Sequence, residues 1–482
     1  MREGIEKTVL IVGAGEAGQM VVREIESHRD LRSRVIGFLD DDPALAEGDV
    51  MGLPVLGKTG ELEDIVASTP VDEIIIAIPT APGRFVRSMV KRCKHAGVPF
   101  KIVPGIIEII KGDVRIDQIR EVRVADLLGR ETVDFDIESV KSVLSGQRIL
   151  VTGAGGSIGS ELSRQLLRME PAELILLGRG ENRIFEIEED LKSYHPRFPV
   201  TTVIADLRDG DRVRRLIGRL SPQIVYHTAA HKHVHYMERD PVEAVINNVE
   251  GSMNMIRASE EFGVERFLFL STDKAAVPHS VMGATKRVIE LYLRSRNGKT
   301  PCRFITVRFG NVIGSTGSVV PLFLKQISRG GPVTVSDLEA TRFFMTVKEA
   351  SLLVIRASVI GKGGETFILD MGEPLNILEI ARDIILLTGH EPDVEIPITV
   401  TGLRDGEKLH EVLVSSDEEL ITLNEEKILL AKPSIPLPPD LEEGIAGMIE
   451  SARRGNEKRI LQIMTDLILD FGQSSGSTPK GS

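Results

Sequence analysis

Apolar and polar positions along this chain run through two long rounds of the same pattern. In the first, an apolar run over Thr8–Val12 meets glycines at 13, 15 and 18 and passes into a helical pattern reaching Ile25. Strand-length runs follow at Val35–Leu39, Glu73–Ile78 and Pro99–Val103, with helical spacing near Glu61–Ser68 and Arg84–Ala96. The second round opens with an apolar run at Arg148–Thr152, turns through Gly153–Gly159 and continues as a helix to Leu167. Strands are predicted near Leu174–Leu177, Thr202–Ala205, Ile224–Thr228, Phe267–Ser271 and Phe304–Arg308, with helices between them.

Short apolar strands alternating with helices predict parallel sheets covered by helices on both faces. The expected fold class is therefore α/β: two Rossmann-like, doubly wound parallel-sheet domains, the second with a smaller C-terminal substrate-binding lobe. The pattern becomes irregular around Asp134–Glu138, which places one domain over residues 1–140 and the second over 141–440. Beyond Val319 the spacing loosens and prolines and glycines multiply, as suits the smaller lobe. A helical segment over 441–471 and a flexible tail over 472–482 complete the chain.

Composition narrows the function. Of the 482 residues, 42% are hydrophobic and 27% charged, enough to bury more than one core. The net charge of -12, with no basic block, argues against nucleic-acid binding. Cys93 and Cys302 stand far apart, so neither a disulfide framework nor a zinc site is expected, and a reducing cytoplasm fits. The charged start lacks a signal-peptide apolar region, and the longest apolar runs are too short to span a bilayer. The alternating His231, His233 and His235 suggest a metal only weakly, and no metal site is expected.

The second glycine turn carries the cofactor chemistry. Gly153, Gly156 and Gly159 permit a tight turn, close approach of backbone N–H groups to a pyrophosphate, and close helix–sheet packing. Ser157 and Ile158 complete the turn, which with Thr152 reads Thr-Gly-x-x-Gly-x-x-Gly. That spacing resembles the extended short-chain dehydrogenase/reductase superfamily and implies bound NAD or NADP. Arg179, just past the next strand, suits the 2′-phosphate of NADP, and Glu181 suits the ribose of NAD; both cofactors stay open. Asp206, after the following strand, is the adenine-side candidate, with Leu207 and Ala229 completing the cofactor set. The first domain has a comparable turn and an acid, Asp40, at the end of its second strand, but no catalytic constellation follows.

The strand ending at Ser271 delivers Thr272, Asp273 and Lys274 at its carboxyl end, where ligands of open α/β sheets bind. Met282 and Lys286 follow at i and i+4, one face of a helix. In the superfamily a Tyr-x-x-x-Lys pair stands there, with the tyrosine as base and the lysine on the nicotinamide ribose. A thioether cannot move a proton, so another group must.

The stretch Leu270-Ser-Thr-Asp-Lys-Ala-Ala-Val-Pro-His-Ser-Val-Met-Gly-Ala-Thr-Lys-Arg287 is similar to the signature of the CapD/PglF-like polysaccharide-biosynthesis proteins, UDP-N-acetylglucosamine 4,6-dehydratases. Ala229–Val234 with Met237-Glu238, Arg308–Pro321 and Gly402–Glu411 agree with it, and the first domain matches the CoA-binding-like domain such proteins carry. One departure is His235, where the family pattern has proline. The resemblance implies that methionine at 282 marks the type retaining configuration at C5. It implies oxidation at C4, loss of water across C5 and C6, and return of hydride to C6. Lys274, its pKa lowered by burial and by Lys286, is expected to take the C5 proton, and Asp273, held protonated, to donate to the departing hydroxyl. Thr272 is the candidate for the O4 proton. Arg342, Arg404 and Lys408 are candidates for the UDP diphosphate and ribose, with Glu407 in the same segment. Asn311 is assigned to the sugar or its acetamido group, and Lys232 to a substrate-facing loop.

The expected partner is a UDP-N-acetylhexosamine, and a homo-oligomer is expected. Relatives with the first domain usually carry transmembrane helices ahead of it, so the cytoplasmic portion of an inner-membrane protein and a naturally soluble form both stay open. Two competitors stand beside the dehydratase. A UDP-hexosamine 4-epimerase uses the same scaffold, though the missing tyrosine and the Thr-Asp-Lys motif argue against it. A non-catalytic nucleotide-sugar-binding regulator would bind without turnover.

Overall fold

The computed structural model describes residues 7–28, 32–45, 48–103, 119–124, 126–128, 137–195, 198–423, 425, 427–469 and 471. The proposed tail at 472–482 and the stretch 134–136 lie outside these residues. The chain divides into two compact units. One comprises Met1–Asp134, Val319–Val335 and Leu378–Thr399; the other Phe135–Ser318, Ser336–Ile377 and Val400–Ser482.

The first unit is built on a six-stranded sheet, in the order Asp49–Val50, Leu53–Gly57, Ser33–Leu39, Lys7–Val12, Glu73–Ile76 and Phe100–Ile102. Neighbours are parallel except the first pair, a short hairpin absent from the apolar pattern. Leu10, Val12, Ile74 and Ile76 enter one apolar cluster with Val86, Met89 and Val90 of the helix Gly83–His95. Val9, Ile11 and Ile75 enter the opposite cluster with Val21, Val22 and Ile25 of the helix Glu16–Ser27. Burial of alternate residues on both faces is why these strands read as unbroken apolar runs.

The second unit holds a nine-stranded sheet. Its order is Glu418–Thr422, Ile428–Pro433, Thr366–Leu369, Arg303–Arg308, Arg266–Leu270, Ile224–His227, Arg148–Thr152, Glu173–Gly178 and Val200–Ile204. From Thr366–Leu369 onward every neighbour is parallel. The two strands at the first edge are antiparallel, which extends the parallel sheet expected from the spacing.

The helix Val281–Arg296, which carries Met282 and Lys286, is buried at every residue from Val281 to Leu293. Its apolar residues Val281, Met282 and Val288 share a cluster with Ile445 and Met448 of the helix Leu441–Arg453 and Ile460 and Met464 of the helix Glu457–Leu467. The C-terminal helices thus cover the back of the helix that presents the site. Its Arg287 and Glu290 join a buried ion network, and Thr285 and Lys286 donate to backbone carbonyls. Among the described residues no helix is long and apolar enough to cross a membrane.

Candidate active site

The site forms where three adjacent parallel strands, Arg148–Thr152, Ile224–His227 and Arg266–Leu270, end side by side. Gly153 adopts φ +67°, and a Cβ there would stand 2.9 Å from the backbone of Ala229. The chain therefore crosses itself at the turn as only glycine allows. Below the crossing, buried His227 bridges Thr152 Oγ1 at 2.9 Å and Ser252 Oγ at 3.0 Å. Ser252 donates to the Asn248 carbonyl at 2.5 Å, so it accepts from His227 Nε2–H, and Thr152 donates to Nδ1. Burial pushes this imidazole down to about 3, so it stays neutral. It ties two strand ends together.

The helix Ser157–Leu167 starts at Gly156 with no side chain capping its first-turn amides. Free amides, a helix N-terminus and a crossing with no room for a Cβ fit a dinucleotide pyrophosphate. Around it, Ser157 Oγ accepts from Thr316 N at 3.1 Å. Arg179 Nη2 lies 3.5 Å from His231 Nε2, and His231 in turn meets Glu243 at 3.0 Å. Asp206 is held by Arg208, at 2.6 Å to Nη2, which keeps its carboxyl below the usual range. Leu207 packs partly buried against the core. In the first unit the corresponding acid is turned inward: Asp40 Oδ2 accepts from Ala14 N in the glycine turn at 2.7 Å, and Oδ1 from Asp42 N at 2.9 Å.

The residues after Leu270 form a linked set. Thr272 Oγ1 donates to Asp273 Oδ1 at 2.8 Å, and Lys274 Nζ donates to the same oxygen at 3.0 Å. Lys274 Nζ also lies 3.5 Å from Asn311 Oδ1 and 3.4 Å from Glu411 Oε1. Asp273 is completely buried, and its Oδ2 has no hydrogen-bond partner. Burial acts against the Lys274 charge, but Asp273 and Glu411 outweigh it, and the ammonium is held above its ordinary range despite Arg342. This corrects the expectation of a lowered Lys274. The fall belongs to Lys286, which burial pushes down to about 8. Lys286 Nζ donates to the Leu270 carbonyl at 2.8 Å and stands 4.5 Å above the Phe269 ring. Met282 is buried in the apolar cluster.

Two of the three basic residues expected at a diphosphate are engaged by protein groups. Buried Arg342 donates to Glu407 Oε1 at 2.8 Å and to the Thr341 and Leu409 carbonyls. Lys408 donates to the Val277 carbonyl, and burial lowers it. Arg404 alone of the three is exposed. Lys232 Nζ donates to Ser315 Oγ at 3.2 Å and is lowered by burial. His235 sits in the first turn of the helix Val234–Arg239, where proline also fits because first-turn N–H groups lack helical partners, so the departure costs the backbone nothing. Among the described residues no group of three or more His, Cys, Asp or Glu is placed to hold a metal ion.

Two members of the site carry no role from the sequence. Glu411 is the last residue of the Gly402–Glu411 stretch, and its signal was an acid set in Leu409-His-Glu-Val-Leu413. Glu238 accepts from Val281 N at 2.5 Å, at the start of the buried helix.

Fold, glycine turn and the Thr-Asp-Lys cluster define an extended short-chain dehydrogenase/reductase. A family model described as polysaccharide biosynthesis protein matches residues 149–433, and one described as a CoA-binding domain matches residues 1–104. The chain belongs to this polysaccharide biosynthesis family, of the CapD/PglF-like kind. The capsular polysaccharide biosynthesis protein CapD of Staphylococcus aureus is 42% identical over 416 residues, 86% of this chain and 69% of that one. A UDP-N-acetylglucosamine 4,6-dehydratase (inverting) of Campylobacter jejuni is 34% identical over 300 residues, 61% of this chain and 85% of that one. Among solved structures, Pen from Bacillus thuringiensis superposes with a TM-score of 0.55 at 34% identity, covering 60% of this chain and 89% of that chain.

Proposed function

We propose that this protein is a UDP-N-acetylglucosamine 4,6-dehydratase that retains configuration at C5. The observation that carries the reading is the Thr272–Asp273–Lys274 chain of side chains beside a helix with Met282 in place of a tyrosine. The dehydratase relative supports the substrate class. NAD or NADP would be held by the turn at Gly153, Gly156 and Gly159 and by Lys286, and when bound would supply reversible hydride transfer between C4 and C6.

The protein's own residues move the protons. Thr272 passes the O4 proton to Asp273 Oδ1, along the hydrogen bond it already makes. The new C4 ketone acidifies C5, and Lys274 removes that proton. Asp273 then gives its acquired proton to the departing C6 hydroxyl, which leaves as water. Lys274 returns its proton to C5 on the face from which it was taken, which retains the configuration. Every proton is accounted for without a tyrosine. Arg404 is the candidate for the UDP diphosphate and Lys232 for a substrate-facing loop, and the product serves polysaccharide assembly.

The test is mass spectrometry and NMR of UDP-N-acetylglucosamine incubated with the protein and with Lys274→Ala. Loss of one water, a C4 keto sugar of gluco-type C5 and no product from the variant support the reading. An unchanged mass with inversion at C4 gives the epimerase, and binding without any change gives the regulator.

A further inference from the structure

Lys274 Nζ faces three acceptors: Asp273 Oδ1, Glu411 Oε1 and Asn311 Oδ1. An ammonium has three N–H groups and no lone pair, so in this arrangement Lys274 is fully protonated and cannot act as a base. One proton has to leave before C5 can be attacked. Asn311 offers an amide oxygen, which is too weakly basic to keep a proton. Asp273 Oδ1 already accepts from Thr272 and Lys274, and in the proposed cycle it takes the O4 proton. Glu411 remains. Its side chain is 2% exposed, and its Oε2 is buried with no hydrogen-bond partner. A buried carboxylate oxygen left without a donor is costly and rare, and beside a reacting ammonium a role in moving a proton accounts for it.

We propose that Glu411 is the acceptor that takes one proton from the Lys274 ammonium and so frees its amine to act as the base at C5. This rests on the dehydratase reading and deepens it. The transfer converts a carboxylate and an ammonium into a carboxylic acid and an amine. The amine then takes the C5 proton. After hydride has returned to C6, Lys274 gives a proton back to C5, and Glu411 returns its proton to the amine, which restores the starting state. Glu411 acts through Lys274 and not on the sugar, so it is a positioning residue. Arg342 and Lys408 also face this cluster and add positive charge beside the two carboxylates, while His279 faces Glu411 as an imidazole held below its ordinary range by burial. The upward shift of Lys274 agrees with an ammonium that needs such an acceptor.

The experiment compares the protein with Glu411→Gln and Glu411→Asp. Three quantities are read: water loss from UDP-N-acetylglucosamine, exchange of the C5 proton of the 4-keto product in D2O, and Tm. Glutamine keeps the shape and an oxygen facing Lys274 but cannot hold the proton. Dehydration and C5 exchange are expected to fall together in Glu411→Gln by about 10²-fold. Its residual rate is expected to climb with pH, as hydroxide replaces the missing acceptor. Glu411→Asp, which keeps an acid, recovers part of both rates and serves alone if the glutamine variant does not fold. A Glu411→Gln protein as fast as the parent or faster overturns the proposal, since Glu411 then only holds the ammonium in place. Loss of Tm in both variants with C5 exchange unchanged also overturns it. A parent protein that leaves the mass of UDP-N-acetylglucosamine unchanged fails one step earlier, at the dehydratase reading itself.

Discussion

Thr272 and Asp273 are joined twice, once through the peptide bond and once through their side chains, with Thr272 Oγ1 donating to Asp273 Oδ1 at 2.8 Å. Neighbours in a strand point to opposite faces, so such a contact needs the chain to leave the strand at this point. It does: the strand ends at Leu270, and Asp273 opens a single 3₁₀ turn that Thr272 caps. The hydroxyl is thereby aimed at the Asp273 carboxylate, the group proposed to protonate the leaving hydroxyl.

The consequence is a prediction for Thr272→Val, which keeps the branched shape and removes the hydroxyl. Dehydration of UDP-N-acetylglucosamine is expected to fall by about 10² or more, with binding of UDP unchanged. Thr272→Ser should recover most of the rate. Steady-state kinetics with calorimetric UDP titration measure both. A valine variant at parental kcat would remove Thr272 from the path of the O4 proton.

Lys286 yields a prediction in pH. Its ammonium, lowered to about 8, is charged below that pH and neutral above it. A charge-assisted bond from Lys286 to the nicotinamide ribose therefore weakens as pH rises through about 8. Titration of NAD and NADP into protein stripped of cofactor should show affinity about tenfold lower at the alkaline end, in keeping with the ~1.5–3 kcal/mol of a hydrogen bond to a charged group. Lys286→Met should bind weakly at both ends with little pH dependence. Parental affinity that stays level across this range would place Lys286 away from the cofactor.

How far the sequence reaches can be seen residue by residue. Strands such as Lys7–Val12, Glu73–Ile76, Arg148–Thr152 and Arg266–Leu270 are legible because they are buried on both faces, which leaves a continuous apolar run, whereas the half-exposed hairpin over Asp49–Gly57 leaves none. Thr272, Asp273 and Lys274 are legible because a strand end in a parallel sheet is where ligands bind. The charge state of Lys274 is not. It depends on Glu411, far along the chain, coming within 3.4 Å, and no local pattern encodes that distance. Arg342 looks like a phosphate ligand by residue type, yet it is buried on Glu407 of its own lobe. The strand Glu418–Thr422 escaped notice because its apolar residues Leu420 and Ile421 are partly or fully exposed, so it lacks a buried run. Its first residue, Glu418, reads as a surface acid, yet its side chain is enclosed.

Glu418 closes a buried ion network. Its Oε2 accepts from Arg308 Nη1 at 2.7 Å, and its Oε1 from Arg287 Nη1 at 2.6 Å and Arg308 Nη2 at 2.8 Å. Glu290 holds Arg308 from the other side, at 2.7 Å to Nε, and Arg308 is fully buried. The network fastens the antiparallel edge of the sheet to the helix that carries Lys286. Burial alone would raise the Glu418 carboxyl, but the two guanidinium groups overcome it and hold it at about 2, against an ordinary 4.5. Between those values the unfolded chain takes up a proton that the folded chain refuses. The stabilisation is therefore complete above about pH 4.5 and is lost as pH falls towards 2, and a shift of this size is worth about 3 kcal/mol. Glu418→Gln leaves two buried guanidinium groups short of a counter-charge, a loss of roughly 3–5 kcal/mol at neutral pH. Tm measured from pH 7 down to pH 3 should show a large gap between the parent and Glu418→Gln that narrows steadily below about pH 4.5. A gap of constant width would mean that the carboxylate charge at 418 does not hold this edge of the sheet.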